Sequence, residues 1–117
     1  MVPTPRAIDE SVPMPGIAHL SIDAIRSDGE EFGLHIAFGA PFVSEHGWAC
    51  TVTLHPLFAP FDIFGADSLQ ALTLALRTTR SLLEDFTDKG GRLTIDGEAF
   101  PLDAWFGPPS FSSDKVR

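Results

Sequence analysis

Four histidines, one cysteine and a few acidic pairs are the residues of this chain able to do acid–base, nucleophilic or metal chemistry. His19, His35 and His55 fall at polar positions of three segments in which apolar and polar residues alternate. Strands formed there turn all three to one side of a sheet. In a simple meander turning at Asp28-Gly29, His19 falls opposite residues 37 to 39 and His55 opposite residues 31 to 33. Each then lies about 7 to 14 Å from His35, at ~3.4 Å per residue. Zinc ligands converge within about 2.1 Å of the ion, so this spacing makes no metal site. Cys50 belongs to the apolar side of its segment, where a thiol is inert packing. Glu30-Glu31 and Glu84-Asp85 read as solvated pairs, and Gly90-Gly91 follow a helix instead of opening one, so they form no phosphate loop. No catalytic residue, metal ligand or cofactor is expected.

The elements that position these residues follow from hydrophobic period. Leu20, Ile22 and Ala24 alternate with His19, Ser21 and Asp23; Phe32, Leu34, Ile36 and Phe38 alternate with Gly33, His35 and Ala37. Trp48, Cys50, Val52 and Leu54 alternate with Ala49, Thr51, Thr53 and His55. Three such segments argue for an antiparallel sheet with one buried face. "SDGE" (27–30) signals a hairpin, Gly39 to Gly47 read as a longer loop, "PFDIFG" as a short strand, and "RLTIDGEAF" as a strand or hairpin turning at Asp96-Gly97. The period then changes to 3.6: Leu69, Leu72, Ala75, Leu76, Thr79, Leu83 and Phe86 share one helical face, opposite Gln70, Thr73, Arg77, Arg80, Glu84 and Asp88. Asp67 is suited to the N-cap with Gln70 closing a capping-box-like pair, and Gly90-Gly91 to the end. The expected fold is α+β: an antiparallel sheet of about four to six strands with one long helix, about residues 67–88, on one face. A Pro-rich arm (1–16) precedes the single domain (17–100), and a polar, proline-broken tail (101–117) follows it.

Bulk composition narrows the classes of partner. The 117 residues are 44% apolar with a mean hydropathy of +0.11, enough for one globular core. The 16 acidic and 8 basic residues leave a net charge of −8. Nucleic-acid affinity rests on Lys and Arg neutralising phosphates, so no nucleic-acid partner is expected. A lone cysteine permits neither an intramolecular disulfide nor a Cys-based zinc site. No apolar run approaches the ~20 residues that span a bilayer, and the N-terminus lacks the apolar region of a secretory signal. A cytoplasmic protein without a membrane partner is the expectation.

"GADSL" (65–69) resembles the phosphopantetheine-attachment motif of carrier proteins, which implies that Ser68 carries the arm and Asp67 helps the transferase dock. Carrier domains are helical bundles, whereas the residues before Gly65 alternate with period 2 and those after Gly91 again read as strand. The same letters are accounted for by a tight turn at Gly65, a cap at Asp67 and the start of the apolar stripe at Leu69.

Aromatic residues outside the periodic segments are the stronger functional signal. The chain has ten Phe and no Tyr. Phe42, Phe58, Phe61 and Phe64 lie in or beside loops, Trp105 and Phe106 lie in the tail, and Leu74 projects from the outward side of the helix. These seven either close over the core edges or form a contact patch for a protein partner or a homodimer.

Read together, "WACTVTL" and "FGADSLQALTLALRTTRSLL" resemble a family of short bacterial proteins known as a domain of unknown function, over residues 48–95. The resemblance implies a Trp-x-Cys strand followed by a Gly-x-Asp-Ser-Leu-Gln-Ala-Leu helix, and no activity or cofactor. A non-enzymatic protein-interaction module of immunity or accessory type is the leading expectation. A small-molecule or metal binder or hydrolase using the open sheet face is the alternative, and a carrier at Ser68 the third.

Overall fold

The computed structural model describes residues 16–108. The expectations for residues 1–15 and 109–117 lie outside them. The alternating segments form β1 (Ala18–Ile25), β2 (Glu31–Phe38) and β4 (Gly47–His55), with β3 (Phe42–Ser44) before the last. β5 (Phe61–Gly65) leads into helix α1 (Ser68–Asp88). β6 (Arg92–Ile95), β7 (Glu98–Ala99) and a short helix α2 (Leu102–Phe106) complete the order. All seven strands pair antiparallel in one sheet. The expected α+β class is observed, with short β3 and β7 taking the sheet beyond four to six strands.

Turn chemistry sets the hairpins. At the β1–β2 turn Gly29 takes φ 95°, and Asp28 Oδ1 accepts from the Glu30 N–H at 2.9 Å. At the β6–β7 turn Asp96 and Gly97 both have positive φ, 54° and 82°, the geometry of a two-residue primed turn.

The expected loop 39–47 contains strand β3 and the first residue of β4. Phe38 pairs with Val52 and Phe42 with Ala49, so three residues, Gly39 to Pro41, oppose two, Cys50 and Thr51. This is a β-bulge in one long strand, tied by the Gly39 N–H donating to the Thr51 carbonyl at 2.9 Å. The extra residue reverses the alternation: odd positions of β2 and the even position Phe42 share a face.

One face of the sheet is the core, built from Ile22, Ala24, Leu34, Ile36, Phe38, Cys50, Val52, Leu54 and Leu93. α1 lies on it, carrying the chain from β5 to β6, which pairs with β1. Asp67 caps its start by accepting from the Gln70 N–H at 2.7 Å, and Gln70 Oε1 accepts from the Ala66 N–H at 2.6 Å. The buried side of α1 is centred on Ala71, Ala75, Thr79 and Leu83. Small side chains let the helix sit close to the sheet: a Cβ on Gly65 would lie 2.5 Å from the Ala71 nitrogen.

Two helix positions depart from expectation. Leu69 is 71% exposed, because the buried stripe is centred on the alanines and leaves the first turn outside. Arg80 is buried, because α2 folds over its flank: its Nε donates to the Gly107 carbonyl, and its terminal nitrogens reach Glu84 and Asp103. Leu102 and Phe106 pack against the core, so the expected tail begins with an ordered helical turn.

Candidate interaction surface

The sheet face turned away from α1 carries no helix among the described residues. In an antiparallel ladder, directly paired residues project from the same face. Phe42 pairs with Ala49 and Ala49 with Phe64, so the three form one row across β3, β4 and β5 on this outer face. Ala49 is fully buried there although no helix covers it, since a phenylalanine flanks it on either side. Phe42 and Phe64 are 41% and 44% exposed. His46, in the β3–β4 turn, stands edge-on to Phe64 with ring centroids 5.9 Å apart. Beyond them the face is polar: the Thr51 hydroxyl donates to Asp62 Oδ1 at 2.7 Å.

The other aromatic candidates lie elsewhere. Phe61 packs against the core and meets Phe58 edge-on at 6.5 Å. Phe58 is 44% exposed and, with Leu57, Leu82, Asp85 and Phe86, lines a groove of about 250 Å³ beside the C-terminal half of α1. Phe106 packs against Phe38 at 6.5 Å, while Trp105, 49% exposed, leans on Phe100 at 4.9 Å. Leu74 is half-buried on α1. Arg80 faces α2 on one flank of that helix, and Leu74 lies roughly 120° round from it, at 100° per residue. The structure therefore brings Phe42 to Phe64, Phe58 to Phe61 and Trp105 to Phe106 on a single short helix, and does not join the seven. Sequence reasoning missed Ala49 and His46, whose grouping with Phe42 and Phe64 depends on the bulge, and the exposed Val43, which pairs with Trp48 and projects from the opposite face.

The histidine register also differs from expectation. His35 pairs directly with His55, not with residues further along, and their ring centroids are 6.3 Å apart. The bulge and the tight β3–β4 hairpin shift β4 along β2. His35 Nδ1 is 2.8 Å from Ser21 Oγ, while His19 pairs with Ala37, within the expected 37 to 39. All three histidines are on the outer face, and no group of three or more His, Cys, Asp or Glu among the described residues is placed to hold a metal ion. Cys50 is fully buried on the core face, its thiol 3.4 Å from the Gly39 carbonyl. Burial, and then the nearby Asp62 carboxylate, push that thiol above its ordinary range. Ser68 begins α1 beside an antiparallel sheet, not in the helical bundle of a carrier domain.

A seven-stranded open-faced α+β domain, with one long helix on one face and a Phe42–Ala49–Phe64 row on the other, is the class that fold and surface define. The chain belongs to the family described as Domain of unknown function (DUF6968), whose model matches residues 22–102, wider than the 48–95 segment that carried the resemblance. No curated protein and no solved structure gives a match to the chain. No helix among the described residues is long and apolar enough to cross a membrane.

Proposed function

We propose that this domain is a cytoplasmic, non-enzymatic protein-binding module of immunity or accessory type. The observation that carries the reading is Phe42 and Phe64 standing exposed on either side of buried Ala49, on a sheet face that carries no helix among the described residues. Two rigid aromatic anchors with polar surroundings suit a protein interface, since such anchors supply area at low entropic cost. The net charge of −8 favours a partner whose surface is basic around an apolar centre. The test is capture from cells of the source organism with the wild-type chain and with Phe42→Ser. A partner held by the wild type and lost from a folded Phe42→Ser variant supports the reading. No specific partner, or one held equally by both, overturns it.

A second reading, a small-molecule or metal binder on the same face, draws on the direct apposition of His35 and His55 beside Ser21. A thermal-shift series with Zn²⁺, Ni²⁺ and Cu²⁺ separates the two. A shift abolished by His55→Ala favours binding of metal, and no shift removes it.

A further inference from the structure

Among the described residues β5 is an edge strand and pairs only with β4. The Thr51 carbonyl accepts from Gly39 on the β2–β3 side, so Thr51, and by alternation Ala49, turn their backbone polar groups away from β5. Their β5 partners, Asp62 and Phe64, therefore form the wide, non-bonded pairs with β4 and aim their own N–H and C=O groups outward. Soluble proteins usually protect such an edge with a lysine, a proline, a bulge or a covering element. β5 has none of the first three. Its single charge, Asp62, bonds inward to Thr51. Apolar groups border the edge on both faces: Phe64 on the outer face and half-buried Ile63 on the other.

We propose that β5 pairs antiparallel with β5 of a second copy, about a two-fold axis at Ile63, joining the two sheets. In this register Asp62 of one copy meets Phe64 of the other, and the reverse. These are narrow pairs that exchange both hydrogen bonds, so all four outward N–H groups and all four outward carbonyls are satisfied. Ile63 meets its own counterpart on the helix side, and the two Phe64 rings become diagonal neighbours, about 7–8 Å apart. The competing two-fold registers fail. Centring on Asp62 opposes two carboxylates and places Phe64 against Pro60, which has no N–H to give. Centring on Phe64 sets Asp62 against Ala66, whose N–H is already held by Gln70. A shift by one residue sets outward groups against inward ones. The edge is self-complementary, as an isologous interface requires, and charge selects its register. Dimerisation stands apart from the binding role proposed above, since it is read on the purified chain alone.

Light scattering after size exclusion on the full chain, across about 10 µM to 1 mM protein, gives the primary readout. The expected mass is twice 12.7 kDa, with more dimer at higher salt because two copies of charge −8 repel. Phe64→Glu sets a carboxylate opposite Asp62 and weakens the dimer at least about tenfold. Phe64→Lys sets an ammonium there and retains it. Asp62→Lys combined with Phe64→Glu restores what Phe64→Glu loses. Thermal melts confirm that each variant folds; should Phe64→Glu not fold, Phe64→Lys and the double variant carry the comparison. A wild-type monomer throughout the range overturns the dimer. A dimer indifferent to Phe64→Glu, or weakened equally by Glu and Lys, overturns this edge and register.

Discussion

Arg80 of α1 and Asp103 of α2, 23 residues apart in the chain, face each other across a salt bridge that holds the short helix onto the long one. The Arg80 side chain is only 9% exposed and has three partners: Asp103, Glu84 at 3.2 Å, and the Gly107 carbonyl at 2.8 Å. It is also the stem against which α2 rests, so its loss removes packing as well as charge.

Arg80→Ala is expected to lower stability by about 1–3 kcal/mol, the range for removing one partner from a charged, partly buried hydrogen-bond set. Both carboxylates it leaves behind reach solvent, which limits the penalty. Asp103→Asn, altering an exposed partner, is expected to cost under about 1 kcal/mol. Urea unfolding of the two variants checks the order. Equal costs would mean that Arg80 acts through Asp103 alone and that its buried stem adds nothing.

Leucines of α1 are not equivalent, and a pair of truncations shows it. Leu83 is fully buried, so Leu83→Ala is expected to cost about 2–5 kcal/mol through lost transfer energy and a residual cavity. Leu69 lies on the exposed first turn, and Leu69→Ala is expected to stay within about 0.5 kcal/mol of the parent. Calorimetric melts of both settle the question. Comparable losses would place Leu69 under a covering element.

Cys50 gives the pH dependence. Its thiol is held above its ordinary range, first by burial and then by Asp62. A group with a raised folded pKa stabilises the fold below its unfolded pKa, and that contribution is lost as pH rises towards the folded one. Stability should therefore decline through the alkaline thiol range, and less steeply in Cys50→Ala. Near pH 8 a thiol reagent should leave the native chain unlabelled and react fully in urea; rapid native labelling would contradict the buried, protonated state.

Much of this fold was legible locally. Asp67 and Gln70 mark the helix start, Asp28-Gly29 and Asp96-Gly97 mark turns, and alternation marks three strands; each signal lies within a few residues of what it determines. The stripe on α1 was read from its leucines, but close contact with the sheet selects alanine and threonine, which left Leu69 outside. The surface was legible only as residue types. That Phe42 and Phe64 share a row depends on two strand pairings through β4, and that His35 meets His55 depends on one unpaired residue in Gly39 to Pro41. No local pattern carries either.

The Gly39–Pro41 segment gives the chain an uneven tolerance to changes in length. To the eye it is a spare connector, the sort of place where lineages gain and lose codons freely. Yet it sets the phase of everything after it in the β3–β4 hairpin: one codon fewer would exchange Phe42 with Val43 between the two faces of the sheet. Homologues that keep the aromatic row should therefore keep the length here, even where they keep none of the letters.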